Sequence, residues 1–216
     1  MAKQRNKKLT AKSEETRAAL ILAARSVFSK RGVSAALVSE IADEAGFSYG
    51  TFYVYFKNKK DVLREVINPA LDDLYDAVMI SWDNRGDLYS SVEYSIRNFL
   101  EAYSRNADIM KILSQDDALE DDVIRSLYFD ARRRVNRRIR KHLENASSKG
   151  QVKDVNLDIA GPALSCMVDA FAYHWFCTAF PKRYLSVDLD ELCKTLADVW
   201  CNAMYIDGAA KKADDK

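Results

Sequence analysis

With 216 residues, 48% of them hydrophobic and 30% charged, the chain has the composition of a soluble globular protein, long enough for a small module and a sizeable core. Its formal net charge of +1 conceals an asymmetry: residues 1–65 carry thirteen Lys and Arg against seven Asp and Glu, a net of +6, and the remainder is about −5. A basic head on a mildly acidic body suits a chain of which only one end adheres to nucleic acid. No apolar segment follows the basic N-terminus, so a secretory signal is not expected and the protein is expected to stay in the cytoplasm.

Residues 1–13 hold Lys3, Arg5, Lys7, Lys8 and Lys12 with no acid, and are expected to be a disordered basic arm suited to phosphate or minor-groove contact, or to solubility alone. A first helix brings Ile21, Ala24, Val27 and Phe28 to Gly32. Val38, Ile41, Ala42 and Ala45 then recur at spacings of three and four, an apolar stripe on a short second helix that Gly46 ends as a left-handed cap. After Phe47, Ser48 stands where an N-cap is expected, its hydroxyl placed to accept from the N–H of Gly50 or Thr51, and a third short helix runs from Tyr49 to about Tyr55. Two helices joined by so tight a glycine turn fit the helix-turn-helix unit, whose second helix lies in the major groove.

On that helix Thr51 offers a hydroxyl and a methyl to base edges, and Tyr49, Tyr53 and Tyr55 offer phenols to phosphates or bases. Phe52 and Phe56, four apart, are expected to face inward. Lys57, Lys59 and Lys60 open the next helix, where ammonium groups and free backbone N–H groups both favour phosphate. The same pattern also fits a plain helical hairpin with its tyrosines in the core or at the surface.

The run from Arg17 to Ile67 resembles the DNA-binding domain of the tetracycline-repressor (TetR) family. The resemblance rests on Ile21, Ala24, Val27, Phe28 and Gly32, on Val38 and Ile41-Ala42, on Ala45-Gly46-Phe47-Ser48, on Gly50-Thr51-Phe52-Tyr53 with Tyr55-Phe56, and on Lys59 with Val62-Leu63. It implies that Ser48 to Tyr55 enter the groove and that Tyr53 and Lys59 hold the DNA backbone. One departure stands out: the family opens its second helix with Thr or Ser, where this chain has Ala36-Leu37, with Ser34 or Ser39 nearby. The expected fold is all-α, with an N-terminal three-helix head at 14–60, a helical ligand-binding and dimerisation body at 61–207 and a polar tail at 208–216.

Beyond residue 60 the pattern is helix after helix. The predicted segments are Lys59–Trp82, bent at Pro69; Leu88–Ser104, after a turn at Asn84-Arg85-Gly86-Asp87; Asp108–Ser114; Leu119–Asn145; Leu157–Phe180; and Val187–Tyr205, after Pro181. Ile159 to Phe180 is long enough to span a bilayer, but Pro162, Asp169 and His174 interrupt it, and a buried helix is expected instead. Cys166, Cys177, Cys193 and Cys201 form no metal pair and are expected to be small buried residues. The basic run Arg132, Arg133, Arg134, Arg137, Arg138, Arg140 and Lys141 is expected to pair with Asp116, Asp117, Glu120, Asp121, Asp122 or Glu144 as a solvated face; the alternative is that it receives phosphates of an acyl-coenzyme A.

The resemblance further implies a homodimer that reads a palindromic operator with two recognition helices roughly 34 Å apart. The stripe Leu189, Leu192, Cys193, Leu196, Val199, Trp200 and Ala203 is the expected interface. It also implies a pocket for a mainly apolar small molecule. Tyr94, Phe99, Tyr103, Met110, Leu113, Tyr128 and Phe129 are the expected lining, with Asp169, Tyr173 and His174 as polar contacts and Phe171, Trp175 and Phe176 nearby. With two histidines, no glycine-rich phosphate loop and no metal-spaced cluster, neither an enzyme nor a cofactor is expected. The reading is a ligand-responsive transcriptional regulator, most simply a repressor; the alternative is an architectural DNA-binding protein without a ligand.

Overall fold

A computed structural model describes residues 2–79, 87–114, 121–178 and 186–209, with the side chains of residues 2–10 and 79 excepted. Among them the chain is helical: α1 (Ala2–Arg31), α2 (Val38–Glu44), α3 (Tyr49–Tyr55), α4 (Lys59–Met79), α5 (Leu88–Arg105), α6 (Ala107–Leu113), α7 (Asp122–Ser148), α8 (Leu157–Tyr173) and α9 (Leu189–Met204). The helix α1 begins at Ala2 where a disordered arm was expected; no Gly or Pro interrupts Ala2–Arg31, and Ala, Lys, Arg and Gln are all good helix formers. The expected turn at 84–86, the segment around Pro181, the acids Asp116, Asp117 and Glu120, and the tail from 210 lie outside the described residues.

Two compact units divide the chain: Met1–Ala70 with Lys111–Arg125, and Leu71–Met110 with Ser126–Lys216. The first thus takes in the opening turns of α4, further along than the expected boundary at 60. The reason is packing: Val62, Leu63, Val66 and Ile67 are buried, and with Leu20, Ala24, Phe28, Ile41, Phe52 and Phe56 they make the core of this unit. Lys60 pairs with Asp121 at 3.0 Å within it, and the Asp121 carboxylate caps α7 by accepting from Val123 and Ile124.

In the second unit α9 packs chiefly on α5, burying Leu192, Cys193, Leu196, Ala197, Trp200, Cys201 and Met204 against a unit that also buries Val92, Ile96, Leu100 and Tyr103. Gly161 lets α8 approach α7 closely, since a Cβ there would lie 3.3 Å from both Ile139 and Leu143. The predicted helix to Phe180 ends at Tyr173 in regular form and widens into a π turn over His174–Thr178. No helix among the described residues is long and apolar enough to cross a membrane.

One feature had no signal in helical periodicity. An isolated antiparallel bridge joins Val152 to Tyr205, with Lys153 N–H donating to the Met204 carbonyl at 2.9 Å and Ile206 N–H to that of Gln151 at 3.0 Å. Behind it His142 Nε2 and the Tyr205 hydroxyl share a hydrogen bond of 2.8 Å. Burial, reinforced by Arg138 and Lys149, lowers the His142 pKa to about 4, so the imidazole is neutral at physiological pH.

Candidate DNA-binding site

The turn between α2 and α3 is closed by local chemistry. Gly46 has φ +74 and open space where a Cβ would stand, so backbone conformation alone requires glycine there. Phe47 N–H reaches the Ala42 carbonyl (2.9 Å) and Gly46 N–H that of Asp43 (3.0 Å), the paired bonds of a Schellman cap. Ser48 then caps α3: its Oγ accepts from Thr51 N–H at 3.2 Å and lies 2.8 Å from Thr51 Oγ1. At the start of α2 Leu37 has no side-chain acceptor, but Glu40 reaches back and accepts from Leu37 N–H at 3.0 Å. That bond meets the N-cap's own N–H, one half of a capping box; the acceptor that Thr or Ser would offer the Glu40 N–H has no counterpart in the Leu37 side chain. Glu40 also pairs with Arg31 at 2.8 Å, and Glu44, one turn on, accepts from Ser26 and Lys30; these bonds hold its carboxyl below its usual range and clamp α2 to α1.

α3 separates its faces sharply. Phe52 and Phe56 are buried, rings 5.5 Å apart, while Tyr49, Gly50, Tyr53 and Val54 are exposed. The Tyr49 and Tyr53 hydroxyls are 2.9 Å apart and their rings meet edge to face, which holds two phenols as one outward block. A Cβ at Gly50 would meet nothing nearer than Ser48 Oγ at 3.9 Å, so this glycine is not required by the fold. Val54, at 77% exposure, was not among the expected contacts, although its place two residues from both buried phenylalanines puts it on the outward face.

The remaining expected contacts are placed differently. Thr51 is half-buried with its hydroxyl turned to Ser48, and Tyr55 is half-buried with its hydroxyl accepting from Ser13 Oγ at 3.3 Å. Lys59 Nζ donates to the carbonyls of Ser34 (2.9 Å) and Ala36 (2.8 Å), so it ties α4 to the loop before α2. Lys57 stays exposed, and its N–H is held by Asp61 at 3.1 Å.

The model of bacterial regulatory proteins of the tetR family matches residues 20–66, the span that carries this cap, turn and outward helix. Residues 20–66 form a DNA-binding domain of the TetR family. It is 27% identical over 171 residues to the probable HTH-type transcriptional regulator ArpR of Pseudomonas putida, covering 76% of this chain and 81% of that protein. The HTH-type transcriptional repressor BepR of Brucella suis biovar 1 is 42% identical over 60 residues, 28% of this chain and 29% of its own length. In fold the chain matches the transcriptional regulator FadR of Bacillus subtilis, solved in complex with stearoyl-CoA, with a TM-score of 0.69 at 18% identity over 86% of this chain and 97% of that one. That domain makes the protein a helix-turn-helix DNA-binding protein of a non-enzymatic family, and the relatives it matches are HTH-type transcriptional regulators.

Among the described residues of the second unit are two small cavities of about 50 Å³ each, and a more open one of about 510 Å³ whose lining includes Trp175, Phe176, Val187 and Leu189. Of the expected lining, Phe99, Met110, Tyr128 and Asp169 do line the two small ones. Tyr103 is instead a core residue, stacked on Phe176 and edge-on to Phe99. Leu113 is buried and belongs to the first unit. Phe129 and His174 are exposed, and Tyr94 and Tyr173, both half-buried, line neither cavity; on amphipathic helices, aromatic content did not reveal which face turns inward.

The sequence did not single out Arg132 and Trp200 as lining residues. Arg132 Nη1 donates to Asp169 Oδ2 at 2.7 Å and lies 3.3 Å from the Tyr128 hydroxyl. Burial opposes its charge, but Asp169 and then Tyr128 more than compensate and raise its pKa. Elsewhere in the basic run Arg133 pairs with Asp130, Arg134 with Asp72 at 3.3 Å, and Arg140 with Glu144 (2.7 Å) and Asp158; of the expected acids Glu144 is a partner, whereas Asp121 and Asp122 pair with Lys60 and Arg125.

The expected interface stripe on α9 is also placed otherwise. Leu192, Cys193, Leu196 and Trp200 are buried inside the unit and Leu189 is half-buried, leaving Val199 and Ala203 outward. α8 presents a stripe free of charged residues: Ile159, Ala163, Cys166 and Ala170 are exposed at spacings of three and four. Of the cysteines, Cys166 is exposed and Cys177 half-buried. Cys193 and Cys201 are buried, and burial pushes their thiols up to about 11 and about 12.

Proposed function

We propose that the protein is a homodimeric repressor that reads a palindromic operator through α3 and is released by a mainly apolar small molecule held in the second unit. The carrying observation is the outward face of α3, where Tyr49, Gly50, Tyr53 and Val54 are exposed on a helix whose other face is locked by Phe52 and Phe56. Phenols suit phosphate and base edges, and a valine suits the thymine methyl in the major groove. Ser48, Thr51 and Tyr55 shape this helix, while Lys57 and the N-terminal amides of α4 favour phosphate.

Dimerisation supplies the second α3 that a palindrome requires. The uncharged stripe Ile159, Ala163, Cys166 and Ala170 on α8, with Val199 and Ala203 on α9, suits close helix packing against a second copy. Repression is favoured by the likeness of the head to BepR, described as a repressor. A lipid-like effector is favoured by the fold shared with FadR, which was solved with stearoyl-CoA, and by the apolar walls of the two cavities. Release would be a population shift, the ligand favouring a conformation of α4 that suits DNA less well.

A reporter gene placed behind an operator recovered by selection tests this reading. Expression of the protein should silence the reporter and the effector should restore it; stimulation of transcription on expression would make the protein an activator.

A further inference from the structure

The two small cavities of the second unit are contiguous, because Phe99, Val135 and Ser165 line both. At about 50 Å³ each they are far smaller than the roughly 300–1,000 Å³ that encloses a drug-sized ligand, so a ligand enclosed here, rather than in the open cavity beside Trp175 and Leu189, must join them. Phe99 is the half-buried aromatic side chain of the shared wall, and its movement would join the two.

Their chemistry differs. Trp200 lines only the first cavity; it is 4% exposed, and its indole N–H has no acceptor among the described residues. An indole nitrogen can only donate, and a buried donor left unmet is destabilising, so this one calls for an oxygen acceptor. Arg132 and Asp169 line only the second cavity, already paired at 2.7 Å. Because that pair is neutral as a whole, an ionised ligand group beside it would leave net charge in apolar surroundings. A hydroxyl can accept from Arg132 and donate to Asp169 without changing the charge.

We infer that the two cavities are the halves of one slot for an elongated, uncharged molecule with an apolar body and oxygen at both ends. One oxygen accepts from the Trp200 indole; the other, a hydroxyl, joins the Arg132–Asp169 pair. This rests on the effector reading proposed above and narrows it, placing an uncharged ligand ahead of an acyl-coenzyme A.

The test is calorimetric titration of the full chain with four probes of one chain length: dodecanediol with hydroxyls at both ends, dodecanol, dodecanoate and dodecanoyl-coenzyme A. The diol should bind about five- to tenfold more tightly than dodecanol. Trp200→Phe, which keeps an aromatic ring and removes the N–H, should bring the two level. Asp169→Asn, which leaves Arg132 uncompensated, should raise dodecanoate affinity about tenfold over the wild type and gives an independent reading if the first variant fails to fold. Equal binding of diol and dodecanol by the wild type, a preference that survives Trp200→Phe, or no heat from any probe would overturn the slot. Tight binding of dodecanoyl-coenzyme A alone would overturn it too, yet leave the effector reading standing. Failure of that reading looks different: the diol binds with the expected preference but does not release operator DNA.

Discussion

Gly50 follows the first residue of α3 with open space above its Cα, and the chain around it would tolerate a methyl group. Alanine there should raise stability by about 0.5–1 kcal/mol, because glycine loses more backbone freedom in a helix. If α3 presses against the duplex, the same Gly50→Ala change should weaken operator binding while thermal melting moves up; unchanged affinity would remove this end of α3 from the interface. His142 makes a second prediction. Its folded pKa of about 4 lies below the ordinary value near 6.5, so the unfolded chain binds the proton first. Its contribution, on the order of 3 kcal/mol at most, is fully present above pH 6.5 and is lost as pH falls from there toward 4. Melting temperature should therefore drop across that window, and His142→Gln should flatten the drop. Residues set by their neighbours in sequence were legible: Gly46 and Ser48 follow from cap chemistry, Phe52 and Phe56 from spacing. Lys59 was not, because the carbonyls it serves are more than twenty residues away in sequence.

At the scale of the element, helix boundaries fell close to their expected places wherever a cap marked them, as Asp87 does for α5 and Asp188 for α9, each side chain accepting from the N–H three residues on. Which face of a helix turns inward was harder to read. The α9 stripe was legible as apolar, but a seam between copies and a seam inside one chain obey the same periodicity, and Leu192, Leu196 and Trp200 belong to the latter. α4 carries the element-scale prediction. Pro69 removes an N–H from its ladder next to the point where the chain passes from one unit to the other, between Ala70 and Leu71. Proline in a helix interior costs roughly 3 kcal/mol relative to alanine, a local softness suited to a helix that must change conformation on ligand binding. Pro69→Ala should slow hydrogen exchange of the amides around it and raise the melting temperature; unchanged exchange would show that α4 is not softened there.

For the whole molecule, the charge asymmetry of the sequence follows its N-terminal helix-turn-helix stretch more than the unit as a whole, because the first unit also takes in the acidic stretch 111–125; the second unit holds the cavities of the Arg132–Asp169 region and an uncharged helical face. The helical class and the head were readable because their signals are local and shared across a family. The body was readable only as a succession of helices, since pairs such as Arg132 with Asp169 depend on how distant segments meet. Ile159 is 66% exposed, so Ile159→Arg should leave the fold intact. If α8 forms the interface, the substitution should yield a monomer in sedimentation and lower operator affinity by about a hundredfold, through loss of the second recognition helix. The central claim, that two copies read DNA sequence through α3, is tested most directly by selecting bound duplexes from a random pool at fixed moderate salt. The account predicts a palindrome whose half-site centres lie about one helical turn apart. Recovery of no motif, with binding that disappears as salt rises, would contradict it and leave a protein that holds DNA by charge alone.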